Sequence, residues 1–115
     1  MNVTIYHNPR CSKSRQTLEL IRAEGIEPVI VEYLSETPSA GEIKSLLQKL
    51  GKGPRDIVRK GEAVYKELGL KDAAISDDAL IAAMAANPIL IERPIVVNGD
   101  KAALGRPPED VLKVL

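Results

Sequence analysis

The chain has one cysteine and one histidine, Cys11 and His7, set four positions apart in Y-H-N-P-R-C-S-K-S-R, residues 6 to 15, with Arg10, Lys13 and Arg15 alongside. A thiol at the first turn of a helix faces unpaired backbone N–H groups and the positive end of the helix dipole, and both favour thiolate over thiol. The preceding Asn8-Pro9 turn and the apolar residues Leu18, Leu20 and Ile21, on or near one helical face, put Cys11 at such an edge. Inward-pointing cations would strengthen the effect, so the expectation is a nucleophilic thiolate near neutral pH. A free cysteine is more often inert core filler; a Pro-containing turn among cations argues otherwise here. His7 is open to two readings. It could reach the sulfur as hydrogen-bond donor or counter-ion, or serve structurally at a strand end.

The spacing excludes several chemistries. Ser14 stands where a C-x-x-C pair would have its second cysteine, and Thr17 stands where a C-x5-R loop would have its arginine; the pattern is instead C-x3-R, ending at Arg15. A lone thiol makes no internal disulfide, and one thiol with one histidine is too small a set for structural zinc, so no metal is expected. Any redox cycle must then borrow its second sulfur from outside. Glutathione is the obvious cytoplasmic source, with a glutaredoxin to clear the mixed disulfide.

Three arginines recur beside turn or strand-end signals, Arg59 in V-R-K-G, Arg93 in E-R-P-I and Arg106 in L-G-R-P. Arginine is a planar, permanently charged fork suited to phosphate, sulfate or arsenate. Each alone reads most simply as a solvated element end. Together, beside a candidate thiolate, backbone N–H groups and Ser14, they would form an oxyanion site.

The elements that must position these groups can be read in order. Val3–Tyr6 is a short β-branched and aromatic strand, Ser12–Glu24 a helix stopped by Gly25, and Pro28–Tyr33 a second strand whose apolar character on both faces suits an interior parallel strand. Ser39 with Glu42 forms a capping box that opens a helix through Ile43, Leu46, Leu47 and Leu50 to Gly51. Short helical pieces follow at Arg55–Val58 and Glu62–Leu68, then a helix capped by Ser76 that ends before Pro88. Asn98-Gly99 between Ile95–Val97 and Ala102–Leu104 signals a hairpin, and Pro107-Pro108-Glu109-Asp110 opens a closing helix carrying Val111, Leu112 and Leu115. The order β-α-β, helical insert, β-β-α is that of a thioredoxin-like α/β domain with a mixed sheet. The expectation is one domain over 1–115 with a helical insertion at about residues 36 to 87.

Composition narrows the partners. The 16 basic and 16 acidic side chains cancel, and aromatics make up only 3%, so neither a charged surface nor a stacking platform for nucleic acid is indicated. No apolar run has the 18 or so residues needed to span a bilayer and no secretory leader is visible, so a cytoplasmic, monomeric protein is expected.

Taken in order, I-Y-H-N-P-R-C-S-K-S-R at 5 to 15, V-R-K-G at 58 to 61, Y-K-E-L-G-L at 65 to 70, N-P-I-L-I-E-R-P-I-V-V at 87 to 97 and G-R-P at 105 to 107 resemble the glutaredoxin-coupled arsenate reductases, a thioredoxin-like family, over nearly the whole chain. The resemblance implies that Cys11 attacks arsenate, that His7 helps lower its pKa, that Ser14 and Arg15 belong to the anion-binding loop, and that Arg59, Arg93 and Arg106 bind arsenate and the intermediate that follows. It further implies glutathione as cosubstrate, glutaredoxin as the resolving partner, and no tightly bound cofactor. Arg10 is bulky where a small residue is expected, and Lys13 adds a charge to the loop. Two other readings stand beside this one. One is a related glutathione-dependent thiol reductase with another substrate. The other is a non-enzymatic thioredoxin-like transcription regulator, whose usual C-x-x-C is broken by Ser14.

Overall fold

The computed structural model describes residues 2–115 and divides the chain into two compact units. The first joins the N-terminal segment up to Glu36 to Arg93–Leu115; the second is Thr37–Glu92.

The first unit is built on a four-stranded sheet in the order β2-β1-β3-β4, from β1 (Val3–Tyr6), β2 (Val29–Val31), β3 (Ile95–Asn98) and β4 (Lys101–Leu104). β1 pairs in parallel with β2 and antiparallel with β3, with Ile5 opposite Ile30 and Val96. Along β1 the side chains alternate, so Val3 and Ile5 go into the core while Thr4 and Tyr6 stay partly exposed. β3, with a neighbour on each side, buries Ile95, Val96 and Val97 in succession, the signature of a central strand. Helix α1 (Ser12–Ala23) crosses from β1 to β2 and turns Leu18 and Ile21 onto the sheet. These side chains meet Val3, Ile5, Val96 and Val111 in one aliphatic cluster, each fully buried member contributing about 1.5–3 kcal/mol.

Two expectations are corrected here. The second strand is an edge strand, not an interior one: it spans only Val29–Val31, its one partner is β1, and Val29 is 60% exposed. Its parallel pairing is as expected, but the chain leaves the sheet in a turn at Glu32–Ser35 that buries Tyr33 instead. The hairpin is also shifted by one residue. Asn98 pairs with Lys101 as the last strand position, and the two-residue loop is Gly99-Asp100, with positive φ confined to Gly99. A glycine at the first loop position is what a type II′ turn requires. The freed Asn98 side chain donates to the Val114 carbonyl at 2.7 Å and ties the closing segment to the sheet. That segment, Pro108–Val114, is helical as expected but of the tighter 3₁₀ kind.

The second unit is helical: α2 (Ala40–Leu50), α3 (Pro54–Ile57), α4 (Ala63–Glu67) and α5 (Asp77–Ala86). The Ser39–Glu42 capping box forms in both directions, and Ser76 Oγ accepts the Ala79 N–H at 3.1 Å. Ile43, Leu46 and Leu47 of α2 face Leu80, Ile81 and Met84 of α5 across the unit's core. Ile89 and Leu90 lie in a 3₁₀ turn, Pro88–Leu90, after which Ile91 bridges antiparallel to Val58. Among the described residues, no helix is long and apolar enough to cross a membrane, and no cluster of histidine, cysteine and carboxylate side chains is placed to hold a metal.

Candidate active site around Cys11

The turn after β1 is closed by a dense set of short bonds. The Cys11 N–H donates to the Asn8 carbonyl at 3.0 Å, the Arg10 N–H to Asn8 Oδ1 at 3.0 Å, and the Arg15 guanidinium to the Pro9 carbonyl at 2.8 Å. Cys11 is the N-cap of α1, its backbone extended while its carbonyl already receives the Arg15 N–H at 3.0 Å. Its thiol thus stands over the exposed N–H groups of the first turn.

Several influences act on that thiol. Burial pushes its pKa up, but the Ser14 N–H, the Arg93 charge, the Lys13 N–H and the Arg106 charge all favour the anion, and the balance falls below the ordinary value of 9.0. Arg106 reaches the sulfur directly, Nη2 to Sγ at 3.8 Å, while its Nε donates to the Arg93 carbonyl at 2.8 Å. Arg93 and Arg106 therefore come to Cys11 as a linked pair. The Arg93–Pro94 peptide is cis, as is Arg106–Pro107.

Ser14 is fully buried and lies at the centre of the loop. Its Oγ accepts the Asn8 N–H at 3.0 Å and shares a 2.6 Å hydrogen bond with His7 Nδ1, while its own N–H acts on the sulfur. His7 thus touches the residue that supports the sulfur, which is a structural use of the kind the second of its two readings describes. Burial lowers the His7 pKa below the ordinary imidazole value; Glu32 opposes this and Arg15 and Arg22 add to it, so the neutral ring is favoured. Arg15 braces the loop by its bond to Pro9, and its side chain is exposed.

Two further residues shape the site and were not singled out by chemistry. Asn8 supplies both a carbonyl and a side-chain oxygen to the turn. Gly105 packs so closely that a Cβ there would sit 2.5 Å from Thr17 Oγ1 and 2.7 Å from Pro94 Cγ, while its N–H donates to the Pro94 carbonyl at 2.9 Å. The glycine of G-R-P was the available signal: it permits the approach that delivers Arg106. Arg59 belongs to the helical unit, where its guanidinium pairs with Glu62 at 2.7 Å and lies 4.0 Å from Glu92, and its N–H donates to the Leu90 carbonyl.

Residues 6–114 match the ArsC family model. The chain is 48% identical over 116 residues to an arsenate reductase of Haemophilus influenzae, with full coverage of both, and 52% identical over 114 residues to the uncharacterized protein YfgD of Escherichia coli K12, covering 98% of this chain and 96% of that one. Among solved structures, an arsenate reductase from Vibrio cholerae superposes with a TM-score of 0.97 at 55% identity, covering 100% of this chain and 98% of that one. The chain belongs to the ArsC family, and its fold is the thioredoxin-like α/β architecture expected from the order of its elements.

Proposed function

We propose that the protein reduces arsenate to arsenite with glutathione and glutaredoxin as electron donors, through Cys11 as nucleophile. The observation that carries this reading is the Cys11 sulfur at a helix N-cap, its anion favoured by Arg93 and Arg106, with one guanidinium 3.8 Å away. Relatives described as arsenate reductases support the substrate.

In the proposed cycle, the Cys11 thiolate attacks arsenic and a protonated oxygen leaves as water. A glutathione thiolate then adds to arsenic, expelling a second water. The glutaredoxin thiolate attacks the glutathione sulfur, the arsenic–sulfur electron pair passes to arsenic, and As(V) becomes As(III) with one mixed disulfide formed. Hydrolysis then releases arsenite and returns Cys11. Two electrons come from two external thiols, which suits a chain with one cysteine. Arg93 and Arg106 hold the oxyanion and offset charge as it develops, and the first-turn N–H groups do the same from the helix side. Ser14 and Arg15 keep the loop in shape, with His7 acting through Ser14. Arg59 is proposed as a third anion ligand. Glutathione places the reaction in the cytoplasm, with the protein as a monomer and no resident cofactor.

The test is arsenate-dependent NADPH oxidation coupled through glutathione, glutaredoxin and glutathione reductase, comparing wild type with Cys11→Ser. Turnover that needs glutaredoxin and disappears in Cys11→Ser is the expected result. No turnover by a protein whose Cys11 still alkylates rapidly at neutral pH would overturn arsenate as substrate. The ion pairs of Arg59 with Glu62 and Glu92 favour a second experiment on a thiol reductase with another substrate. If Arg59→Ala leaves arsenate turnover unchanged, Arg59 is not an anion ligand.

A further inference from the structure

The helical unit carries a concave site of its own. A cavity of about 690 Å³ is lined by Arg55, Lys60, Lys66 and Lys71 together with Tyr65, Gly69 and Ala73. Its size is that of a small-molecule pocket, roughly 300–1,000 Å³. It also lies on V-R-K-G and Y-K-E-L-G-L, two motifs of which only Arg59 enters the reaction proposed above.

The charge on its wall is unusual for a chain whose 16 cations and 16 anions balance. Four cationic side chains line the cavity and no carboxylate does. Glu62 is engaged by Arg59, and an Asp72 side-chain oxygen accepts the Ala74 N–H at 2.9 Å. Among the described residues, the ammonium groups of Lys60, Lys66 and Lys71 have no ion-pair or hydrogen-bond partner. Arg55 directs its guanidinium to the carbonyls of Leu70, Asp72 and Ile75, so its fork is occupied by neutral groups and its charge is not cancelled.

Tyr65 gives an independent sign of a ligand. Tyr65 is only 7% exposed, yet its hydroxyl bonds to no protein group among the described residues, and its oxygen is not among the atoms sealed from solvent. Buried hydroxyls ordinarily find a partner. This one belongs to a residue that lines the cavity, and it is an available donor. The lysine stems supply apolar surface below their ammonium groups, so the site is cationic at its rim and apolar beneath.

We propose that this cavity binds a phosphorylated small molecule of nucleotide size, its phosphates on Lys60, Lys66 and Lys71 and its planar body against the lysine stems and Tyr65. Phosphate is favoured over carboxylate because the arginine fork that would grip a planar carboxylate is already engaged. What remains is a set of point-charge ammonium groups, which suit a compact, multiply charged anion. The site is independent of the Cys11 chemistry.

The test is titration of the full chain with ATP, adenosine and inorganic phosphate, each separately, in low salt with a chelator, followed by amide NMR and calorimetry. ATP should saturate, shift the Tyr65, Gly69 and Ala73 amides, and bind at least tenfold more tightly than adenosine or phosphate. Lys66→Ala and Lys71→Ala should each weaken ATP by roughly tenfold, and Tyr65→Phe by a few fold, with the Cys11 alkylation rate unchanged. Absence of saturation at millimolar ATP would overturn the proposal. So would shifts centred on residues 8–15, inorganic phosphate binding as tightly as ATP, or lysine variants that bind ATP like the wild type.

Discussion

The two segments that meet at Cys11 are held in place by different physics. The loop from His7 to Arg15 is closed by polar bonds between near neighbours: Asn8 to Cys11, Asn8 to Ser14, Ser14 to His7 and Arg15 to Pro9. The segment from Arg93 to Arg106 carries the β3–β4 ladder, and beside the site it depends on a close approach, with Gly105 packed against Thr17 and Pro94. One segment should therefore be sensitive to loss of a hydroxyl, and the other to gain of a methyl. The thiol belongs to the first and its charge partners to the second, so the lowering of its pKa depends on both kinds of order.

The largest effect should follow from Arg106→Ala, which removes a charge 3.8 Å from the sulfur. Loss of one such stabilising group lowers turnover by about a hundredfold, and the midpoint of the pH profile for Cys11 alkylation should rise toward 9.0. The thiol's pKa is lowered in the fold, so Cys11 contributes stability above its unfolded value. That contribution fades as pH falls through the folded value. Chemical denaturation across this window should show the slope in wild type and a shallower one in Arg106→Ala.

Gly105→Ala should come next. A methyl at 2.5 Å from Thr17 Oγ1 and 2.7 Å from Pro94 Cγ forces backbone movement, costing about 1–3 kcal/mol in a denaturant melt. Because the shift also carries Arg106, the alkylation midpoint should rise in this variant with every charge intact. A midpoint that stays put would show that Arg106 does not depend on the close approach.

Ser14→Ala tests the other segment. It leaves the Asn8 N–H and His7 Nδ1 without their oxygen in a buried setting, a loss of about 1–2 kcal/mol in the same melt. Alkylation should slow as the turn loosens, and Ser14→Thr should recover part of both losses. The smallest effect is expected outside the site. Ser39→Ala removes the α2 cap at a cost of about 1 kcal/mol and should leave the alkylation profile unchanged. If it moves that profile, the contrast between the two segments is not a property of the site alone.

Local chemistry was legible before the structure. The β1 alternation, the Ser39–Glu42 box, the Ser76 cap and the placing of Cys11 at a helix edge all follow from residues a few positions apart. What escaped depends on partners distant in the chain or on a one-residue choice. The apolar run at 28–33 gives no indication of how many neighbours a strand will have, so β2 read as interior. Asn98 looked like a turn residue because its other use, a bond to Val114, lies 16 residues on. His7 had two plausible partners in sequence, and only the fold brings Ser14 Oγ to within 2.6 Å. The three arginines could be read as anion ligands by type, but the linking of Arg106 to Arg93 is a side-chain-to-carbonyl contact that no periodicity encodes.

The sulfur and the Arg106 guanidinium 3.8 Å from it are 95 residues apart in the chain. During synthesis, Cys11 leaves the ribosome long before Arg93 and Arg106 are made, and for that interval the thiol lacks two of the charges that favour its anion. β1 likewise waits for β3, its antiparallel neighbour, while Thr37–Glu92 is one continuous stretch that emerges in between. A nascent chain therefore carries its cysteine without two of the guanidinium charges that favour the thiolate in the fold. Those charges arrive only as the last strands and the G-R-P turn fold against the first, so the chain order itself sets when the thiol meets them.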